Sequence, residues 1–192
     1  EQLGALQHTS NLYYSKPCAM LAKALCERTG MSKVFFSNSG AEANECAIKV
    51  ARKYGEINKG AEYTTIITLK DSFHGRTITT LAATGQDKFH QLFQPLTPGF
   101  VSVDANDSEA LSDAVKNNKT AAIMLECIQG EGGVNPLDQA FIDTAVQLAK
   151  EYDLLIIDDE VQTGNGRTGT LYAYMQYGFL PDIVTTAKGL GG

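Results

Sequence analysis

Lys188 lies in "TTAKGLGG", residues 185–192, just past the short apolar run 183–185. No other charge stands beside it, which predicts close backbone approach through the glycines and partial burial. Desolvation lowers a lysine pKa and makes the amine a nucleophile toward carbonyls, the behaviour of a Schiff-base lysine. A solvated surface lysine is the competing reading. "LLIIDDEVQTG", 154–164, sets two adjacent carboxylates, Asp158 and Asp159, at the end of an apolar run. Successive strand residues face opposite ways, so only one of the two can reach a ligand. A buried acid needs a cationic or hydrogen-bonding partner, and a protonated ring nitrogen would serve; a capping or solvated loop acid is the alternative. Gln162 and Thr163 add neutral hydrogen-bonding groups.

In "SNSGAEANE", 37–45, Ser39 and Glu42 have the spacing of a capping box. Gly40 and Ala41 are too small to shield the helix start, so its N–H groups and positive dipole end stay open to a phosphate. "SFHGRT", 72–77, brings Phe73, His74 and Arg76 just past another strand. Phe73 reads as packing or as a stacking surface for a flat ligand, and Arg76 as a bidentate carboxylate clamp or a surface ion-pair partner. His74 has no second His or Cys at metal-ligand spacing, so no metal site is predicted. "GNGRTG", 164–169, matches GxGxxG, but five residues separate it from the strand and no amphipathic helix opens from Gly169. A glycine-rich wall of a site is the better reading than a dinucleotide fingerprint.

These residues need elements to hold them. Short apolar, β-branched runs predict strands at 33–36, 64–69, 100–103, 121–126, 154–158 and 183–185, and helical periodicity predicts helices at 18–29, 41–54, 108–116 and 139–152. Alternating strands and helices mean an α/β fold. Runs such as "AAIML" and "LLIID" are apolar on both faces, as in a mostly parallel sheet covered on each side, a three-layer sandwich. Ligands then sit beyond the carboxyl ends of the strands, where the polar stretches above occur.

The chain has 192 residues, 43% of them hydrophobic and 20% charged, and a formal net charge of -6. No basic tract marks a nucleic-acid or anionic-lipid partner, and no apolar run reaches the roughly 18 to 20 residues of a membrane span, so small-molecule partners are expected. Cys18, Cys26, Cys46 and Cys127 form no CxxC pair, which fits reduced thiols in a cytoplasmic compartment, or a mitochondrial matrix if a leader has been removed. The polar start and glycine-rich finish read as those of an excised piece.

One cofactor needs an amine, an acid for a pyridinium nitrogen, a phosphate cradle and a flat apolar contact: pyridoxal 5'-phosphate (PLP). Lys188, Asp159, Gly40 with Ala41, and Phe73 are of those types. The motifs "NSGAEANE", "FHGRT", "IQGEGGV", "DEVQTGNGRTG" and "AKGLGG", in that order, resemble the fold-type I, class III aminotransferases over nearly the whole chain, and "HTSNLYY" is similar to the acetylornithine branch. The resemblance implies that Gly40 and Ala41 bind the phosphate, Phe73 stacks on the ring, Asp159 pairs with the ring nitrogen, Gln162 approaches the ring hydroxyl, and Lys188 bonds the aldehyde. Glu160 and Val161 join the cofactor-binding set. Arg76 would hold a substrate carboxylate, and Glu131 would gate a second, later arginine.

It further implies transamination of N2-acetylornithine with 2-oxoglutarate in arginine biosynthesis, or of ornithine, succinylornithine or 4-aminobutyrate, by a homodimer when full-length. Residues 1–30 would lead into a PLP-binding large domain at 31–192, with the small C-terminal domain missing. Cys127 stands where the family usually has proline, which should loosen a turn beside Glu126. From the residues alone, a non-catalytic nucleotide-binding α/β module and an inert assembly piece stay open.

Overall fold

The computed structural model describes residues 2–6, 8–10 and 12–191, in two compact units, 1–36 and 37–192. The first contains helices α1 (Gln2–Ala5) and α2 (Lys16–Thr29). Helix α2 stops at Gly30, whose left-handed φ of 78° returns its N–H to the Cys26 carbonyl. The run 33–36 is not a strand. It follows α2 in the chain without a ladder partner among the described residues, and Phe35 is exposed. Apolar composition marks a β-prone stretch, but a strand exists only where a neighbour takes its N–H and C=O groups.

The second unit runs α3 (Gly40–Asn58), β1 (Thr65–Leu69), α4 (Ile78–Ala83), α5 (Asp87–His90), β2 (Phe100–Val103), α6 (Ser108–Asn117) and β3 (Thr120–Leu125). It continues through β4 (Ile128–Gln129), β5 (Asn135–Pro136), α7 (Gln139–Tyr152), β6 (Leu155–Asp159), α8 (Tyr174–Tyr177) and β7 (Ile183–Thr185), and ends in a 3-10 turn at Lys188–Leu190. Five strands form one parallel sheet in the order β2-β1-β3-β6-β7, and β4 and β5 form a small antiparallel pair.

The two faces of the sheet follow from the period of two along each strand. Ile67, Leu69, Ile123, Leu125 and Ile156 pack with Leu111 and Val115 of α6 and Phe141, Ile142 and Ala145 of α7. Their chain neighbours Ile66, Ala122, Met124 and Ile157 turn to the other face, against Ala47, Ile48 and Ala51 of α3. Extending the alternation by one step sends Asp158 toward the α7 layer and Asp159 toward the α3 layer. Both helices present an apolar stripe to the sheet, Phe141, Ile142, Ala145, Leu148 and Ala149 on α7, and Ala47, Ile48, Ala51 and Gly55 on α3. The α3 stripe is interrupted by one buried polar residue, Asn44. Because every strand of the main sheet is parallel, all their carboxyl ends share one edge, and α3, which precedes β1, starts at that edge. Among the described residues no helix is long and apolar enough to cross a membrane.

Candidate active site

Asp159 ends β6 and is 3% exposed. Its Oδ1 accepts the Val161 backbone N–H at 3.0 Å, and its Oδ2 accepts Asn44 Nδ2 at 2.7 Å and His74 Nδ1 at 2.8 Å. A carboxylate offers about four lone-pair sites, so three donors leave room for one more. Asn44 uses its second N–H on the His74 carbonyl, at 2.8 Å, and its Oδ1 accepts the Thr185 hydroxyl of β7 at 2.6 Å. One amide therefore fastens α3, the loop after β1, β6 and β7 together.

His74 is buried, and with Nδ1 donating to Asp159 its Nε2 has no hydrogen-bond partner. Burial opposes charging this imidazole, but the hydrogen bond and charge of Asp159, aided by Glu126, hold its pKa above the ordinary value. Glu126, just past β3, accepts the Phe73 N–H at 2.8 Å and the Gly130 N–H at 3.4 Å. Burial, reinforced by the charge of Asp159, raises its pKa to about 7 against the pull of His74.

Asp158 faces the other layer, as the alternation requires. Its Oδ2 accepts the Cys127 thiol at 3.7 Å, its Oδ1 is buried without a partner, and burial together with the charge of Glu160 pushes its pKa far up. Glu160, counted with the cofactor-binding residues on sequence, belongs to this opposite layer: it is fully buried and accepts the Thr163 hydroxyl and the Tyr174 N–H. Its carboxylate is not offered on the side of Asp159. Cys127 does not loosen its turn either, because its carbonyl accepts both the Leu137 N–H and the Tyr177 hydroxyl, at 3.0 and 3.2 Å.

At the start of α3, Ser39 caps the Glu42 N–H at 3.2 Å, but Glu42 reaches back to the Asn38 N–H at 2.6 Å and not to that of Ser39, so the capping box is displaced by one residue. The Gly40 and Ala41 N–H groups are first-turn donors without a carbonyl four residues back inside the helix. Gly40 is forced by packing: a Cβ there would lie 2.8 and 2.9 Å from the two methyl carbons of Val161. Val161 thus seats the helix start against the loop after β6, one residue beyond Glu160.

Phe73 meets Phe89 edge to face, with centroids 5.5 Å apart and planes at 69°. Arg76, exposed, holds its guanidinium carbon 5.8 Å from each of those rings. Glu131 accepts Gln86 Nε2 at 2.5 Å and lies 3.5 Å from Lys88 Nζ. Gln162 packs against Gly130, where a Cβ would meet its Oε1 at 2.8 Å.

Lys188 follows β7 as expected, with a left-handed φ of 47°, but it is exposed. The glycines around it do not carry a close approach: a Cβ on Gly189 would meet only the Asn165 Cβ, at 3.6 Å, and one on Gly191 would meet nothing within 4 Å. What holds the segment is the glycine-rich loop, since Asn165 Nδ2 donates to the Ala187 carbonyl at 3.1 Å and to the Thr186 hydroxyl at 3.2 Å. That loop consists of turns and opens no helix at Gly169, so the dinucleotide geometry is absent there.

Sequence reasoning brought Asp159, Phe73, Arg76, Glu131 and Lys188 to one edge of the sheet. It missed Asn44, Glu126 and the role of His74. Asn44 had a signal, a polar residue inside the apolar stripe of α3, where burial demands that each polar atom find a partner. The donor set fits a PLP-type group: a buried carboxylate with spare acceptor capacity, a helix start whose first N–H groups lack helical acceptors, an aromatic ring and a strand-end amine.

The parallel three-layer fold with this strand-end chemistry is that of a PLP-dependent aminotransferase large domain, and the family model for Aminotransferase class-III matches residues 1–192. The chain belongs to that PLP-dependent family. It is 57% identical over 191 residues to the acetylornithine aminotransferase of Haemophilus ducreyi, covering 100% of this chain and 49% of that protein. To the succinylornithine transaminase of Salmonella newport it is 48% identical over 192 residues, with 100% and 47% covered. Among solved structures, the ornithine aminotransferase of Toxoplasma gondii crystallised with oxidised glutathione, which reveals partial occupancy of PLP at its active site, superposes with a TM-score of 0.90. The identity is 34%, over 96% of this chain and 44% of that one. The chain spans about half the length of the curated relatives it matches.

Proposed function

We propose that the protein carrying this sequence transfers the δ-amine of N2-acetylornithine to 2-oxoglutarate, giving N-acetylglutamate 5-semialdehyde and glutamate in arginine biosynthesis. The observation that carries the PLP reading is Asp159, a buried carboxylate already gripped by three donors and able to accept one more. A protonated pyridine nitrogen is the donor that such an acceptor suits. The choice of donor substrate is supported by the 57% identity to an acetylornithine aminotransferase; succinylornithine, at 48% identity to its transaminase, is the second reading.

When bound, PLP supplies an electrophilic carbon and a ring able to accept an electron pair. The residues of this chain act around it. Asp159 holds the proton on the ring nitrogen, with Asn44 and His74 fixing the direction of its Oδ2. The N–H groups of Gly40 and Ala41 would hold its phosphate beside Val161, Phe73 would give the ring an apolar contact, and Gln162 would offer its amide to the ring hydroxyl. Lys188 would be the amine that holds the cofactor through its aldehyde, and its Nζ would serve as the proton carrier of the site. Arg76 takes a substrate carboxylate, and Glu131 responds to which substrate, amino acid or 2-oxo acid, is present. Residues 31–192 form part of the PLP-binding large domain, preceded by the segment 1–30, of a cytoplasmic homodimer.

Borohydride treatment of the PLP-loaded protein, followed by peptide mapping, tests the site: a pyridoxyl group on Lys188 is the expected result, and its absence there with PLP bound overturns the assignment. Glutamate formation from 2-oxoglutarate with each of the four candidate amines then ranks the donors. A preference for 4-aminobutyrate or ornithine over acetylornithine would refute the substrate assignment.

A further inference from the structure

The Arg76 guanidinium is held in an unusual way for an exposed arginine. It contacts no carboxylate among the described residues and instead stands equally far, 5.8 Å, from the rings of Phe73 and Phe89, which meet at 69°. Two aromatic faces attract a cation through their quadrupoles without consuming its N–H groups, whereas an acid would occupy the donors a substrate carboxylate needs. All five N–H donors stay available for bidentate recognition.

Phe89 is itself fixed. The residue three before it, Gln86, is buried and donates to the Ser72 carbonyl at 3.0 Å and to Glu131. The residue after it, His90, uses Nε2 on the carbonyls of Leu81 and Thr84, at 3.0 and 2.8 Å. The short helix α5 is therefore pinned on both sides of the ring it presents.

We propose that Phe89 is a positioning residue for substrate specificity: with Phe73 it forms an aromatic corner that aims Arg76 at the carboxylate of the incoming amino acid or 2-oxo acid while leaving its donors unused. This rests on the reading of Arg76 as the carboxylate-binding residue. Phe73, already assigned to the cofactor ring, is one wall of the corner; Phe89, whose ring also carries Lys88 Nζ at 4.8 Å, is the wall with no assigned cofactor contact.

The test uses the full-length, PLP-loaded protein. Phe89→Leu removes one ring and is expected to raise KM for a carboxylate-bearing amine donor about two- to fivefold, with kcat within about twofold, because an exposed cation–π contact contributes about that factor. The Kd of glutarate, an unreactive dicarboxylate followed by calorimetry, should rise by the same factor, with PLP affinity unchanged. Phe89→Tyr, which keeps the ring, should restore both constants. Unchanged glutarate Kd and KM in Phe89→Leu, with both raised in Arg76→Gln, overturn the proposal and leave Arg76 in its role. If Arg76→Gln changes neither constant, the reading beneath the proposal fails first. Loss of PLP affinity and thermal stability in Phe89→Leu, unrescued by Phe89→Tyr, would make Phe89 a packing residue and also overturn it.

Discussion

Asn44 and Asp159, 115 residues apart in the chain, meet in the interior through a 2.7 Å hydrogen bond from Nδ2 to Oδ2. The same amide serves the His74 carbonyl and the Thr185 hydroxyl, so removing it strands several buried groups at once. Asn44→Ala is expected to lower unfolding stability by about 2–4 kcal/mol, more than one neutral hydrogen bond contributes, since unsatisfied buried groups bear their full desolvation cost. Denaturant midpoints measure this, and PLP titration should show weaker binding. A variant as stable as the parent would show that water replaces the amide.

The neighbouring acids should answer differently to amidation. Asp158 is pushed toward its neutral form by burial and by Glu160, and one of its oxygens has no partner. Asp158→Asn keeps the shape without an ionisable group, so stability at pH 7 to 8 should be unchanged or improved. Asp159→Asn turns an acceptor of Asn44 and His74 into a group with its own N–H donors, and PLP affinity should fall by about tenfold or more, as loss of a charged hydrogen bond implies. Equal effects of the two substitutions would contradict the opposite facing of the residues.

Packing at the helix start gives a paired test. Gly40→Ala brings a methyl within 2.8 and 2.9 Å of both Val161 methyl carbons, and rotation of a β-branched side chain does not clear both. The expected loss is about 1–3 kcal/mol, as for other overpacked sites. Val161→Ala in the same protein should recover most of it, and a double-mutant cycle of melting midpoints shows whether the two positions couple.

Glu126 predicts a pH dependence. Its pKa rises from 4.5 in the open chain to about 7 in the fold, chiefly through burial, so the folded form binds the proton more tightly. Its contribution to stability is complete below pH 4.5 and is lost as pH climbs through about 7. The shift corresponds to roughly 3 kcal/mol across that window. Glu126→Gln, which keeps an oxygen for the Phe73 N–H, should flatten the decline. Urea midpoints between pH 5 and 8 that fall as steeply in the variant as in the parent would remove Glu126 as the cause.

Much of this fold is written in local pattern. The run 139–152 carries a helical period that becomes α7 residue for residue, and the doubly apolar runs become buried parallel strands. Period two along β6 already said that Asp158 and Asp159 must part, and glycines and polar residues after each strand marked the edge where chemistry collects. These signals survive in one dimension because they depend on neighbours within a few residues. The run 33–36 shows their limit: a β-prone segment becomes a strand only when another strand is beside it.

Tertiary structure alone decided which acid faces α3, which layer receives Asp158 and Glu160, and that Lys188 is exposed and steadied by Asn165. It also produced the cluster of Asn44, His74, Glu126 and Asp159, whose members come from four elements. Charge state and hydrogen-bond satisfaction depend on burial and on partners that the crossovers between parallel strands bring together. Sequence spacing holds no record of those distances, whereas the periods that build the strands and helices are carried by the order of the residues itself.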